Sequence, residues 1–360
     1  VRSRWDILLK LWRGVGAVAK VLVLAPFPPP IHGFSFMMLR LTQTLEKEHE
    51  VSRKNIGTSV ENPVLRYLLL TFHALAAIPI VCLFRATGGQ FVCIGVNGGR
   101  GLLFTLMLAI ACRVLGLGVR LHHHSYAYIH KCSNLMHILV QSSDGEHVFL
   151  SKQMQRQFSA LYPLARPFHV VPNATFVSPR HSSQSLKRPL RIGFLSNLSR
   201  EKGLFQFLAL AGKLQSSGAD CEVILAGGTS DLADAKAIRE SAVTKYLGPV
   251  YGAEKDAFFD AIDVFVFPTD YANEAQPTVI YEALASGIPV IARGLGAIEQ
   301  QVGKAGLTVP PSDDFVDVAF NFVEALSAER LEILSARAKI KFYADREEGL
   351  QNLNRLIPND

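Results

Sequence analysis

The chain has 360 residues, of which 49% are hydrophobic and 19% charged, and this size and composition predict a globular protein of two domains. The composition excludes a disordered or collagen-like chain, and five cysteines without a Cys-x-x-Cys pair indicate buried free thiols in a reducing compartment. Residues 1–180 carry 19 Lys and Arg against 7 Asp and Glu (+12), whereas residues 181–360 carry 18 against 24 (−6). The basic half indicates an anionic partner such as a membrane surface or a phosphorylated lipid. Nucleic acid is not expected, because no basic run is interleaved with aromatic residues.

Two segments of the basic half raise the question of membrane contact. The first 19 residues are an extension in which Trp5–Val18 can form a short basic amphipathic helix, and a surface anchor and a frayed end both stay open. Residues 67–84 carry no charge over 18 positions, but Thr71, His73 and Pro79 interrupt the run. A buried or interface-lying helix is therefore favoured over a membrane span. No signal peptide is recognised, so a cytoplasmic protein, peripheral on the inner face of the membrane, is expected.

Strands and helices are predicted to alternate along both halves of the chain. In the first half the predicted strands are Lys20–Ala25, Phe91–Val96, Gly118–His122, Val148–Ser151 and His169–Val171, and the predicted helices are 35–47, 64–84 and 101–116. In the second half the predicted strands are Arg191–Ser196, Cys221–Ala226, Lys245–Leu247, Val264–Phe267 and Pro289–Ala292, and the predicted helices are Gly203–Gln215, Glu254–Ala261, Thr278–Ser286 and several from Asp313 onward.

This alternation predicts an α/β protein of two doubly wound, Rossmann-like parallel-sheet domains with a cleft between them. We assign residues 1–175 to an N-terminal domain, the polar residues 176–189 to a linker, and residues 190–360 to a C-terminal domain. The last helix of the chain is predicted to cross back to the N-terminal domain.

The strongest chemical signal is the segment Asn273–Pro289, NEAQPTVIYEALASGIP. Glu274 lies in a loop after a predicted strand and Glu282 follows eight positions later, in a helix that Pro277 is expected to open at its first position. The start of that helix would present backbone N–H groups to a phosphate or to sugar hydroxyls. The candidate donors of those groups are Ala275, Gln276 and Thr278.

The segment resembles the E-x7-E motif of family 4 glycosyltransferases, here Glu274-(AQPTVIY)-Glu282 followed by ALASGIPV. The resemblance implies the GT-B fold, with two Rossmann-like domains facing across a cleft. It also implies transfer of a sugar, with retention of configuration, from a nucleotide diphosphate sugar. In that family the first glutamate meets the donor sugar and the second binds the nucleotide ribose. Those roles would fall to Glu274 and Glu282.

The turn Phe194–Leu204, FLSNLSREKGL, is similar to the family's diphosphate-binding turn. Lys202 matches the family's lysine, whereas Asn197 stands where an arginine is usual, and Arg200 is a candidate replacement. A cation here would stabilise the leaving diphosphate, whose negative charge grows as the glycosidic bond breaks. Gly227 ends a strand where the resemblance places the nucleotide base.

The first half offers candidates for the acceptor and the reaction centre. Gly33, in the turn PPPIHGFS, resembles the family's glycine that lies against the donor phosphates. In LHHHSYAY the three consecutive histidines cannot converge on one metal ion, because side chains of a strand alternate between faces. His124 matches the family's histidine near the donor sugar, and His123 is predicted to point into packing. The candidate acceptor-binding residues are His32, Asn97, Arg100 and His122.

We therefore predict a metal-independent hexosyltransferase in cell-envelope polysaccharide synthesis, with Glu274, His124 and Lys202 as catalytic residues. The acceptor would be a saccharide or a lipid-linked acceptor. No cofactor and no metal are expected, since the chain contains no Asp-x-Asp motif. Two alternatives stay open: a non-catalytic scaffold in a polysaccharide assembly, and a sugar-nucleotide hydrolase or epimerase of the same fold.

Overall fold

A computed structural model describes residues 18–29, 33–60, 62–163, 167–180 and 189–358. The chain divides into two units, of which the first comprises Val1–Val171 with Leu350–Asp360 and the second comprises Pro172–Gly349. The predicted extension at residues 1–19 lies almost wholly outside the described residues. The last helix ends in the first unit, where the carbonyl of Leu356 accepts a hydrogen bond from Arg120 at 2.6 Å.

The first unit is a six-stranded sheet with strand order β2-β1-β3-β4-β5-β6, and all its strand pairs are parallel. Its strands are β1 (Lys20–Ala25), β2 (Glu50–Asn55), β3 (Phe91–Val96), β4 (Gly118–His123), β5 (Glu146–Phe149) and β6 (Phe168–Val170). Its helices are α1 (Gly33–Leu45), α2 (Pro63–Ala86), α3 (Leu102–Val114), α4 (Ala127–His130), α5 (Asn134–Ser142) and α6 (Lys152–Leu161), with a 3-10 turn at Gly99–Gly101.

The second unit repeats the plan with strand order β12-β11-β10-β7-β8-β9, again with parallel pairs throughout. Its strands are β7 (Leu190–Leu195), β8 (Cys221–Ala226), β9 (Lys245–Tyr246), β10 (Val264–Phe267), β11 (Val290–Arg293) and β12 (Gly306–Val309). Its helices are α7 (Leu204–Ser216), α8 (Leu232–Glu240), α9 (Ala253–Asp260), α10 (Thr278–Ala285), α11 (Ile298–Val302), α12 (Phe315–Glu324) and α13 (Ala328–Asn354), preceded by a 3-10 turn at Asn173–Phe176.

The central strands of each sheet are apolar because helices cover them. β10, with the sequence VFVF, is buried at all four positions, and β1 is buried at every position after Lys20. The fold is the predicted α/β fold of two Rossmann-like units, and β1, β3, β8 and β10 have the predicted bounds. The predicted strand Val148–Ser151 is shifted, since the structure places β5 at Glu146–Phe149.

In the first unit the prediction of buried cysteines is wrong for two of them, and of the two alternatives for the run 67–84, a buried or an interface-lying helix, the buried one is wrong. Cys82 and Cys132 are exposed, whereas Cys93 and Cys112 are buried as predicted. The uncharged run 67–84 does form a helix, α2, but most of it is not buried. This helix is long and apolar enough to cross a membrane, and 22% of its most apolar stretch is buried.

Candidate functional site

The strongest candidate site lies where the second sheet changes its direction of winding. β7 and β10 are neighbours in this sheet, while β8 lies on the other side of β7 and β11 on the other side of β10. Doubly wound sheets bind ligands beyond the carboxyl ends of the strands at such a point. Lys202 follows β7 and Glu274 follows β10, and the Lys202 Nζ lies 2.6 Å from the Glu274 Oε2. The structure therefore brings these two predicted catalytic residues together.

The Lys202–Glu274 pair is partly shielded from water. Its side chains are 25% and 13% exposed, and the Lys202 ammonium lies 4.4 Å from the centroid of the Tyr271 ring. Partial burial strengthens the attraction between the two charges relative to a pair in water. An ammonium that could bind phosphate and a carboxylate that could bind sugar hydroxyls are thus held side by side.

Interlocked turns hold the backbone on either side of this pair. Gly203 has φ +87°, and a Cβ at this position would clash with the carbonyl oxygen of Pro268. The N–H of Asp270 donates to the carbonyl of Glu201 at 2.8 Å, which joins the turn after β7 to the turn after β10. Gly296 has φ +55°, and a Cβ there would clash with the carbonyl oxygen of Glu274. Only glycine fits both positions without displacing the loop that carries Glu274.

A second ion pair lies on the helix that follows this loop. Glu282 of α10 accepts a bond from Lys255 of α9, with 2.6 Å between Oε1 and Nζ. The Glu282 Oε2 is buried and has no hydrogen-bond partner among the described residues. A buried acceptor without a partner is costly, so this oxygen suits a ligand hydroxyl. The neighbouring Tyr281 donates to Asp345 of α13 at 2.7 Å and fixes the helix from its other side.

Lys255 is a site residue that the motif analysis missed. Lys255 and Glu282 are 27 positions apart, and no helical or strand spacing connects them. Their contact depends on how α9 and α10 are brought together in the fold.

The start of α10 differs in detail from the prediction. The helix begins at Thr278, and Pro277 precedes it with ψ 125°, an extended conformation that the fixed φ of proline permits. The placement of Pro277 at the first helical position is therefore wrong by one residue. The backbone N–H of Gln276 is the group predicted to face the donor, and the side chain of this residue accepts a hydrogen bond from the N–H of Asn173 at 2.7 Å. The Ala275 carbonyl accepts from Ala297 at 2.9 Å, so this segment is tied to its neighbours on both sides.

The remaining predicted donor residues of the second unit lie on the turns after β7 and β8. Asn197 and Arg200 are exposed, and the Arg200 guanidinium lies 4.2 Å from the centroid of the Phe205 ring. Gly227 has φ +128°, and a Cβ there would clash with the carbonyl oxygen of Ser196. The Gly227 carbonyl accepts from the Tyr246 hydroxyl at 2.8 Å. Glycine is thus required where the ends of β7 and β8 approach each other.

The three consecutive histidines of the first unit are divided between the two faces of its sheet. His123 points into packing, as predicted, with its Nδ1 2.8 Å from the Tyr128 hydroxyl and its Nε2 2.8 Å from the His147 Nδ1. His122 and His124 share the other face, with their rings stacked at 6.5 Å. The ring of Phe34 lies 4.8 Å from that of His124.

Burial keeps these imidazoles neutral. It lowers the pKa of His124 to about 3 and the pKa of His147 to about 4, and it lowers the pKa of His122 and of His123 well below 6.5. The His122 Nε2 is buried and has no hydrogen-bond partner in the described part of the chain. A neutral His124 can exchange hydrogen bonds with a hydroxyl but carries no charge for a phosphate.

The other predicted residues of the first unit lie at the ends of β1 and β3. Gly33 is the first residue of α1, and a Cβ on it would meet no atom within 4 Å. Asn97 follows β3, and its N–H donates to the Thr105 hydroxyl at 3.4 Å. Arg100 lies in the 3-10 turn that follows. His32 lies outside the described residues. Among the residues described, no cluster of three His, Cys, Asp or Glu side chains could hold a metal ion.

Sequence comparisons match part of the chain to known glycosyltransferases. Residues 189–327 match the family model "Glycosyl transferases group 1". A GDP-mannose-dependent alpha-mannosyltransferase of Mycolicibacterium smegmatis is 30% identical over 126 residues, which are 35% of this chain and 31% of that protein. A D-inositol 3-phosphate glycosyltransferase of Corynebacterium urealyticum is 33% identical over 135 residues, again 31% of that protein. The chain thus matches less than a third of the length of these relatives.

Structural comparisons cover both units. A sucrose-phosphate synthase of Thermosynechococcus elongatus superposes with a TM-score of 0.69 at 15% identity, over 92% of this chain and 97% of that one. HepE of Anabaena, solved in complex with UDP, has a TM-score of 0.61 at 18% identity, over 94% of this chain and 100% of that one. The lipopolysaccharide galactosyltransferase WaaB has a TM-score of 0.62 at 14% identity. The fold is accordingly the GT-B fold of glycosyltransferases, and the matched family segment contains the Lys202–Glu274 and Lys255–Glu282 pairs.

Proposed function

We propose that the protein is a retaining glycosyltransferase that takes a hexose from a nucleotide diphosphate sugar. The observation that carries the proposal is the contact between Lys202 and Glu274 at the switch point of the second sheet, 2.6 Å apart and partly buried. The matched family segment supports the same conclusion, since it includes both residues. We assign the protein to the family 4 type on its Glu274–Glu282 spacing.

The second unit binds the donor in this proposal. The Glu282 Oε2 accepts from a ribose hydroxyl, and Lys255 holds the other carboxylate oxygen of Glu282 in place. Lys202 binds the diphosphate, and the start of α10 at Thr278 presents its N-terminal dipole to the same group. Gly227 lies on the turn near the base.

The reaction forms one bond and breaks one bond at the anomeric carbon. The acceptor oxygen attacks from the face that the diphosphate leaves, and the electron pair of the broken bond stays on the phosphate oxygen. That oxygen takes the proton of the acceptor hydroxyl, so the products are a glycoside and a nucleoside diphosphate. Lys202 stabilises the charge on the leaving group, and Glu274 orients the sugar through its hydroxyls. We propose that no metal and no cofactor take part.

The first unit binds the acceptor in this proposal. His124 is neutral because burial lowers its pKa to about 3, so it would contact a sugar hydroxyl by hydrogen bonding. Asn97 and Arg100 follow the end of β3, where doubly wound sheets bind ligands, and Gly33, after β1, would lie against the donor phosphates. We propose a saccharide or lipid-linked acceptor of cell-envelope polysaccharide synthesis, on the cytoplasmic face of the membrane.

The experiment that tests the donor site is calorimetric titration of the full chain with UDP, GDP and ADP. We expect one nucleotide to bind preferentially and Glu282→Ala to weaken it, while Glu299→Ala, at an exposed glutamate of the same unit, leaves binding unchanged. GDP is the first candidate, since two of the matched relatives are GDP-mannose-dependent. Absence of binding by all three would contradict the proposal and favour a non-catalytic scaffold.

Product analysis then separates a transferase from a hydrolase or an epimerase. Release of nucleoside diphosphate from a bound nucleotide sugar should depend on added acceptor, and the glycoside formed should keep the configuration of the donor. Release at the same rate without any acceptor would identify a sugar-nucleotide hydrolase. Conversion of the donor sugar without release would identify an epimerase.

A further inference from the structure

Helix α2 of the first unit exposes a continuous apolar stripe that the proposed donor site does not use. We define the α2 surface as the exposed leucine and phenylalanine side chains on one side of this helix. Its members are Leu65, Leu68, Phe72, Leu75 and Leu83, which are 49–66% exposed. The first four are spaced by three or four positions, and Leu83 follows two turns after Leu75 with the exposed Pro79 between them, so all five share one side of a helix whose 24 residues extend over about 36 Å.

The opposite side of α2 is fixed within the first unit. Ala74, Ala77 and Val81 are fully or almost fully buried. The ring of Tyr67 packs 5.5 Å from that of Phe104 on α3. Arg85, at the end of the helix, donates its Nε–H to the carbonyl of Leu115 at 2.9 Å. The apolar stripe is therefore held outward by a folded domain, and lipid could not surround α2 on all sides without breaking this packing.

The charged side chains of α2 itself are both cationic. Arg66 and Arg85 are exposed near the two ends of the helix, and residues 62–143 contain six Lys and Arg and no Asp or Glu. Arg113, at the end of α3, is neutralised by an ion pair with Asp144 at 3.0 Å. Cations beside an exposed apolar stripe are typical of helices that lie in the interface of an anionic membrane.

A second copy of the chain fits this surface less well. Two copies of α2 packed antiparallel would bring Arg66 of one beside Arg85 of the other, and no carboxylate lies within residues 62–143 to neutralise them. A bilayer with anionic headgroups provides both an apolar layer for the stripe and negative charge for the arginines.

We propose that the α2 surface docks the protein on an anionic lipid bilayer, with α2 lying in the membrane plane and its apolar stripe inserted below the headgroups. This inference deepens the proposed function, since it assigns the membrane contact to named residues of the acceptor-binding unit. It does not depend on the donor site of the second unit.

The test is flotation of the full chain with phosphatidylcholine vesicles that contain or lack phosphatidylglycerol. We expect Leu68→Ser/Phe72→Ser to lower the partition coefficient at least about tenfold, because two large side chains no longer bury their apolar area. The matched control is Leu232→Ser/Ile340→Ser, which changes two side chains of the second unit that are 85% and 68% exposed and should bind vesicles like the wild type. Arg66→Gln should weaken binding about fivefold on anionic vesicles and leave neutral vesicles unaffected.

Cys82 provides a second readout, because it is exposed on α2 beside Leu83. Anionic vesicles should slow its labelling by a maleimide relative to Cys132, which is exposed on the loop before α5. Nucleotide binding by Leu68→Ser/Phe72→Ser should equal that of the wild type. Vesicle binding by a wild type that binds no nucleotide would contradict the proposed function alone. Nucleotide binding by a wild type whose vesicle binding Leu68→Ser/Phe72→Ser does not weaken would contradict this inference alone.

Three results would overturn the inference. Wild-type binding that Leu68→Ser/Phe72→Ser does not weaken would place membrane contact elsewhere, for instance in the first 19 residues. A dimer that this variant dissociates, measured by light scattering without lipid, would identify the surface as an interface between copies. Resistance of membrane-bound protein to alkaline carbonate extraction would indicate a helix that spans the bilayer.

Discussion

Replacement of His147 by asparagine should remove part of the acid sensitivity of the first unit. The His147 side chain is 2% exposed, and burial lowers its pKa from 6.5 to about 4. Between these two pH values the unfolded chain binds a proton at His147 and the folded chain does not. The free energy of unfolding is therefore unaffected by this group above pH 6.5 and falls as the pH is lowered from 6.5 towards 4.

The size of the effect follows from the pKa values. Each pH unit in this window costs about 1.4 kcal/mol, so at pH 5 the wild type loses about 2 kcal/mol through His147 relative to pH 7. Asparagine does not titrate, and its side-chain amide can occupy the place of the His147 Nδ1, which lies 2.8 Å from the His123 Nε2. The variant should thus resemble the wild type at pH 7 and be the more stable protein at pH 5, by up to about 2 kcal/mol.

The assay is urea unfolding at pH 7 and pH 5, followed by amide hydrogen exchange and mass spectrometry. Peptides from β4 and β5 report the first unit, and peptides from β7 and β10 report the second unit in the same sample. Two results would refute the reasoning: an equal loss of stability at pH 5 in wild type and His147→Asn, or a variant effect confined to the β7 and β10 peptides. Either would mean that His147 is not held neutral by burial.

Three further predictions concern the second unit. Glu282→Gln should weaken nucleotide binding about 10- to 150-fold in calorimetry, because a hydrogen bond to a charged group contributes about 1.5–3 kcal/mol. Lys255→Met should weaken nucleotide binding when introduced into the wild type and have little further effect when introduced into Glu282→Gln. Additive losses of binding free energy in the double variant would contradict the coupling of the two residues. Glu274→Gln should lower turnover at saturating donor at least about tenfold with nucleotide affinity retained, and unchanged turnover would exclude its role at the sugar. Gly296→Ala should lower both turnover and melting temperature, since its Cβ would displace the Glu274 carbonyl. The control is Gly212→Ala within α7, where the added Cβ meets no atom within 4 Å, and it should raise the free energy of unfolding by up to about 1 kcal/mol.

The α/β fold class and the elements with the clearest hydropathy patterns could be predicted from the amino-acid sequence. β3 and β10 have the predicted bounds, because each is an apolar run with a clear end. β2 was not predicted, since its sequence EVSRKN is polar and its backbone is that of an exposed edge strand. β12 was also missed, because GLTV is too short to give a pattern. Local patterning identifies elements that cross the core and gives little signal for elements at the edges.

The glutamates of the candidate site could also be predicted from the sequence, through their spacing and their resemblance to the E-x7-E motif. Glu274 and Glu282 lie eight positions apart on a loop and the helix after it, so a local pattern contains both. Their partners are not local: Lys202 lies 72 positions from Glu274, and Lys255 lies 27 from Glu282. Lys202 was found only because its own turn resembles a known one.

Which residues meet, and which face of each element is covered, depends on how the elements assemble in three dimensions. The contact between Lys202 and Glu274 exists because β7 and β10 are neighbours in the sheet, although β8 and β9 intervene in the chain. The exposure of Phe72 on α2 likewise depends on which side of that helix packs against the first unit. The hydropathy of a side chain predicts that it avoids water, but it does not predict which other residues or ligands cover it. Strand order cannot be read from any one segment, because it is a property of the whole sheet. Sequence spacing therefore predicts the elements, whereas the ion pairs of the candidate site and the apolar surface of α2 follow from how those elements are assembled.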